Sequence, residues 1–357
     1  MQVNVIKSIG RLFNRVCYTL ENISVHNRRN VTQGFIEKSY VISRRVAPPH
    51  QRTFTGRVLL GSFYFWNIFK KRGEKEETPE DKLIMTIKRS ILCVQRGELN
   101  KAEQMLHLAL RMAQDLQSKD GITYIYDVMA NLALEKGDFE KAEKLFVNVM
   151  QRLFGDGFKE NHIKMLHISS KIAHMAGLQG NLEKARQGFE WTLQKLEEKV
   201  HLPDVDEELQ DLRELWGMTK NWYGQTLLEL NKLSEAKQCF LNAWEVFNEI
   251  HDQINEDALM LLNNLGVVCM RLGEVSAAED YLRKAITLSK EFPDFVEANV
   301  FKANLGLVYL QQGLLQKATE ICSLSWRLSK KAQNERAVEQ ADYCLEQIKK
   351  LRETNKT

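Results

Sequence analysis

The strongest constraint on this chain is a short pattern that recurs six times: a Gly or Asn, a mixed polar and apolar step, and an Ala five residues later. It pairs Gly97 with Ala102, Gly137 with Ala142, Gly180 with Ala185, Asn231 with Ala236, Gly273 with Ala278 and Gly313 with Ala318. Self-similarity at a near-fixed period marks a stacked array, in which each unit buries its apolar face only against its neighbours. An array grows by addition, so the 357 residues need not divide into two or three globular domains. Five prolines in this length favour long helices over linker-rich or β-rich folds. The pattern points to binding rather than catalysis.

The net charge of +3 conceals two regions of opposite sign. Residues 1–54 hold nine Lys and Arg against Glu21 and Glu37, and the rest of the chain sums to −4. By bulk charge the body is not a nucleic-acid-binding surface. At the start, Ile6, Ile9, Phe13, Val16 and Leu20 share one helical face, with Lys7, Arg11 and Arg15 off it. A basic, acid-poor amphipathic start has the composition of a mitochondrial transit peptide, the alternative being an unstructured basic tail. Arg52, Thr53 and Phe54 resemble an arginine-directed processing site, which would close the transit peptide at residue 54.

Residues 55–72 read as an apolar membrane-associating segment with a basic flank. As a helix, the apolar residues 58–69 would span about 18 Å, short of the roughly 20 residues a hydrocarbon core needs. Their aromatics suit the membrane interface, and Lys70, Lys71 and Arg72 suit anionic head groups. The alternative is an apolar segment packed on the first repeat. Residues 73–82 contain no large apolar side chain and read as a polar linker. The array then occupies 83–352, with a short tail at 353–357.

Within the array the chain resembles the tetratricopeptide repeat. That family places small or apolar residues at positions 7, 8 and 11 of a first helix, a turn Gly at 15, then Ala at 20, a large apolar residue at 24 and a small one at 27. The second repeat matches with Met129, Ala130, Ala133, Gly137, Ala142, Phe146 and Val149. The fifth matches with Leu265, Gly266, Cys269, Gly273, Ala278, Leu282 and Ala285, and the sixth with Leu305, Gly306, Tyr309, Gly313, Ala318, Cys322 and Ser325. Small residues at 8 and 20 let the two helices of a pair approach closely. The resemblance implies an all-α tetratricopeptide-repeat superhelical solenoid of about six helix pairs plus a capping helix. The cap is the amphipathic run through Ala337, Ala341, Leu345, Ile348 and Leu351. Successive alanines lie 40, 43, 51, 42 and 40 residues apart, more than the 34 of the standard repeat, so helices or connections must lengthen. The widest gap holds an acidic insertion at 202–208, which reads as the start of a helix behind Pro203 rather than a metal site.

Nothing in the sequence asks for chemistry. There is no Gly-rich phosphate loop, no HExxH and no GxSxG turn, and no cofactor is expected. His167 and His174, seven residues apart, have no acidic or Cys partner at ligand spacing and read as packed or surface residues. The six cysteines show no CxxC and no paired spacing; they read as reduced thiols acting as small hydrophobes.

What remains is the groove that first helices line in this fold. Its positions give Asp127, Asn131, Lys171, His174, Asn221, Gln225, Asn263, Asn264, Arg271 and Asn304 as candidate partner-binding residues. Asn264 and Asn304 hold the same position in consecutive repeats. A carboxamide both donates and accepts, so spaced Asn side chains suit an extended peptide backbone. The alternative is a ladder of solvated amides with no peptide ligand. The Lys/Asn/Lys/Arg clamp for terminal carboxylates is not reproduced.

The stretch 122–133, running on through Phe146, allows a finer comparison, as does 90–112 with Ala102, Glu103 and the run Leu108, Ala109, Leu110, Arg111, Met112, Ala113. It resembles a family of mitochondrial tetratricopeptide proteins associated with respiratory complex III. The resemblance implies a non-enzymatic protein of the inner membrane, on its matrix side or embedded, that binds complex III and supports it. It further implies a role in clearing N-terminal fragments of the Rieske iron–sulfur subunit. The alternative is a matrix scaffold of the same fold serving another protein partner.

Overall fold

The computed structural model describes residues 78–200, 207–250, 254–293 and 295–354. The expected transit peptide, the apolar segment 58–69, the first half of the linker and the head of the acidic insertion lie outside them. Thirteen α-helices and no strand occur among the described residues. Six helix–turn–helix pairs run α1 (Pro79–Gln95) with α2 (Leu99–Asp115), α3 (Lys119–Glu135) with α4 (Phe139–Gly155), and α5 (Ile163–Leu178) with α6 (Leu182–Val200). They continue with α7 (Glu207–Glu229) and α8 (Leu233–Ile250), α9 (Glu256–Leu272) and α10 (Val275–Leu288), and α11 (Ala298–Gln311) and α12 (Leu315–Lys331). The cap is α13 (Glu335–Thr354), which packs on both α11 and α12.

The repeat register explains the core. All six pattern alanines have no exposed surface, and neither do the six residues four positions on: Leu106, Phe146, Phe189, Phe240, Leu282 and Cys322. Burying a side chain of this size contributes about 1.5–3 kcal/mol, so removing one ring, as in Phe146→Ala, costs about 3–5 kcal/mol. Close approach is measurable where the first helix carries Gly. A Cβ on Gly266 would lie 2.5 Å from Leu282, and one on Gly306 would lie 2.1 Å from the Cys322 sulfur. The Asn that stands in for Gly in the fourth turn adopts φ +60°, the left-handed conformation that Asn tolerates better than most side chains.

The paired helices run 14–19 residues, and across the widest gap α7 extends to 23. Neighbouring pairs are laced on the surface by Glu103 with Lys136 and Lys141, Lys184 with Glu143, and Lys237 with Glu274. Such half-exposed pairs are worth about 0–1 kcal/mol each.

Two expectations change. Helix α1 begins at Pro79, inside the segment read as linker, because Thr78 and Asp81 form a reciprocal capping box and Pro79 supplies the first helical residue. The cysteines are not all reduced: Cys322 and Cys344 are joined as a disulfide between α12 and α13, while Cys93, Cys239 and Cys269 are free and buried. The two bonded residues are 22 apart and share no motif. They meet only because the cap folds back onto the sixth pair.

Candidate functional site

The candidate residues lie on the first helices of successive pairs: Asp127 and Asn131 on α3, Lys171 and His174 on α5, Asn221 and Gln225 on α7, Asn263, Asn264 and Arg271 on α9, and Asn304 on α11. Residues three, four and seven apart share a helix face, and the repeat sets those faces side by side. First helix therefore meets first helix through these positions. The hydroxyl pair Ser170 and Thr219, 2.8 Å apart and buried, makes the same kind of contact between α5 and α7.

Toward the N-terminal end the face is ionic and aromatic. Asn131 Nδ2 donates to the Asp127 carbonyl at 2.7 Å and to Asp127 Oδ2 at 3.2 Å. Lys171 is only 2% exposed, and its Nζ stands 3.8 Å from Asp127 Oδ1, beyond hydrogen-bond reach. The ammonium also lies 5.6 Å from the centre of the Phe146 ring. Burial pulls Lys171 below the usual lysine range, and Asp127 opposes that shift. His167 is held well below its ordinary value by burial and by the Lys171 charge. Burial alone brings His174 down to about 4. The His174 ring stacks on Trp222 of α7, centroids 4.5 Å apart and planes within 12°. At neutral pH both histidines are therefore uncharged.

Toward the C-terminal end the face is an amide ladder. Asn264 Nδ2 donates to Asn221 Oδ1 at 3.1 Å. Asn304 Nδ2 donates to Asn263 Oδ1 at 2.7 Å, and Gln340 Nε2 of the cap donates to Asn304 Oδ1 at 2.8 Å. Asn263, Asn264, Asn304 and Gln340 are all under 9% exposed. Arg271 ties α9 to the preceding turn, donating to the Leu228 carbonyl at 2.8 Å and to Asn231 Oδ1 at 2.9 Å. Gln225 is hydrogen-bonded to none of these residues. Each closed bond contributes about 0.5–1.5 kcal/mol, and the larger effect is the cost of leaving a buried partner unmade.

The structure thus joins Asp127, Asn131 and Lys171 in one cluster, and the asparagines in another. The ladder's members bond one another across repeats, and four of them are buried. Sequence reasoning missed Trp222 and Gln340. Trp222 holds the repeat position that Lys171, Asn264 and Asn304 hold elsewhere, and Gln340 follows Asn304 by 36 residues, close to one period. Extending the register to aromatics and into the cap would have found both. Among the described residues no group of three or more His, Cys, Asp or Glu side chains is placed to hold a metal ion. No described helix is long and apolar enough to cross a membrane.

Comparison with known proteins gives the same architecture and a narrower kinship. A tetratricopeptide repeat profile matches residues 258–291. The Drosophila melanogaster tetratricopeptide repeat protein 19 homolog, mitochondrial, is 51% identical over 305 residues, covering 85% of this chain and 82% of that one. The Rattus norvegicus tetratricopeptide repeat protein 19, mitochondrial, is 30% identical over 267 residues, covering 71% and 73%. Its Homo sapiens counterpart is 29% identical over 267 residues, covering 73% and 70%. Among solved structures, BtubC (BKLC) from P. vanneervenii matches with TM-score 0.52 and 22% identity over 66% of this chain and 91% of its own. The apo form of RapI matches with TM-score 0.54 and 14% identity over 75% and 99%. At such identities the structural likeness establishes the fold.

Proposed function

The chain belongs to the mitochondrial tetratricopeptide repeat protein 19 family, and from that premise we propose that it serves respiratory complex III at the inner membrane. It is a tetratricopeptide-repeat protein of mitochondria and a non-enzymatic scaffold. In the proposed role it binds complex III through the first-helix face and helps remove N-terminal fragments of the Rieske iron–sulfur subunit. The observation that supports a peptide-holding role is the make-up of that face. It sets amides, two neutral histidines, a Trp and one ion pair along successive helices, with little net charge. A surface of that kind suits an extended, largely uncharged segment.

Affinity isolation of the tagged chain from mitochondria tests the partner. Complex III subunits should co-purify, and their absence sinks the reading. Overlapping 15-residue peptides covering the N-terminal segment of the Rieske subunit test the fragment role. The full chain should bind at least one of them. Alkaline extraction tests membrane attachment, since full release would show that residues 58–69 do not hold the protein in the bilayer.

A further inference from the structure

The Lys171 and Asp127 pair is built unlike the rest of the first-helix face. In the amide ladder the side chains are closed on one another at 2.7–3.1 Å. Here a donor and an acceptor on adjacent helices stand 3.8 Å apart and make no hydrogen bond to each other. The two are not equivalent. Asp127 Oδ2 is engaged by Asn131, which fixes the carboxylate and leaves Oδ1 turned toward the ammonium. Lys171, almost wholly buried along its stem, has three N–H groups and no protein hydrogen-bond acceptor for them among the described residues.

Charge decides what such a pair takes. Lys171 and Asp127 cancel, and the nearby His167 and His174 are neutral. An incoming carboxylate would meet the Asp127 charge, and an incoming ammonium would meet Lys171. A neutral group carrying one donor and one acceptor meets neither penalty. One residue of an extended chain offers that combination, because its N–H and C=O point to the same side, as in an antiparallel ladder. One turn beyond Lys171, the stacked His174 and Trp222 rings form a flat, uncharged surface beside the pair.

We propose that Lys171 and Asp127 form an amide-reading subsite, Lys171 donating to a ligand C=O and Asp127 Oδ1 accepting the ligand N–H, with the neighbouring apolar ligand side chain lying on the His174–Trp222 surface. The amide is that of an extended peptide main chain or of an Asn or Gln side chain. The inference rests on the reading that the first-helix face binds peptide, and it locates the anchor in repeats two to four rather than in the amide ladder.

The test uses the full chain and the Rieske N-terminal peptides, read by fluorescence anisotropy. Lys171→Met keeps the buried stem and removes the donor, and Asp127→Asn keeps the shape and removes the charge. Each should weaken binding at least tenfold with an unchanged circular dichroism spectrum, whereas Asn264→Ala should change it less than threefold. N-methylation along the bound peptide should find one position that costs tenfold in the wild-type chain and less than twofold further in Asp127→Asn, as expected for coupled groups. If instead a single Asn or Gln to Leu change in the peptide carries the loss, the amide is a side chain. If Lys171→Met does not fold, Asp127→Asn and His174→Ala carry the test alone. Wild-type binding that both variants leave intact makes the pair a structural ion pair only and overturns the inference. A wild-type chain that binds none of the peptides overturns the underlying reading as well.

Discussion

The two ends of the first-helix face spend polar side chains in opposite ways. From α7 to α13 the amides of Asn221, Asn264, Asn263, Asn304 and Gln340 bond one another in two runs, so polarity there joins repeat to repeat. From α3 to α7 an ion pair stands open at 3.8 Å beside a stacked His174 and Trp222. The same repeat positions are mortar in one half and, in the proposed reading, a recognition surface in the other. What separates them is how far each hydrogen-bonding group is already satisfied, because a satisfied buried amide has little left to offer a ligand. The packing follows the same division. Repeats four to six carry Gly at the close-approach position, at Gly224, Gly266 and Gly306, whereas repeats one to three carry Ser90, Ala130 and Ala173.

Among changes that separate the two halves, the largest stability effect should fall on the C-terminal half. Replacing Cys322 and Cys344 together by Ala removes a cross-link over 22 residues and should lower unfolding stability by about 3 kcal/mol in a denaturant titration. A change below about 1 kcal/mol would mean that the bond does not hold the cap. Next comes Asn304→Ala, which strands the Asn263 acceptor and the Gln340 donor in a buried setting and should cost about 2 kcal/mol.

Lys171→Met should behave differently, shifting stability by less than about 1 kcal/mol while weakening the partner. Removing the ammonium also removes its burial penalty, and the charge left behind is not stranded, because Asp127 keeps both its bond from Asn131 and its access to solvent. A loss as large as that of Asn304→Ala would erase the contrast between the halves. The last effect is one of pH and appears only on acidification. His174 has a folded pKa of about 4 against an ordinary 6.5, so the unfolded chain takes up its proton first on acidification. Its contribution is intact above pH 6.5 and is lost between 6.5 and about 4. In His174→Phe the stability–pH curve should be flatter in that window, and an unchanged slope would show that the ring is not shielded.

Much of this organisation was legible in the sequence because it is periodic. The turn residues, the six buried alanines and the core positions four residues later, from Leu106 to Cys322, all follow from one register. So does the membership of the first-helix face. Which members of that face touch was not legible, since that depends on the stagger between neighbouring helices. Asn264 reaches back to Asn221 and Asn304 to Asn263, each to the position one earlier in the preceding repeat, an offset that the register alone does not supply. The disulfide was hidden for a related reason: Cys322 belongs to the repeat register and Cys344 to the cap, and only the fold-back of α13 unites them. Helix α1 was misplaced by four residues because a polar capping box and a polar linker have the same composition.

Hydrogen–deuterium exchange of the full chain with and without purified complex III tests the division of labour most directly. The account predicts added protection along α3, α5 and the part of α7 around Trp222, with the amides of α11 and α13 unchanged. Protection confined to α11 and α13, or to the second helices of the pairs, would contradict it.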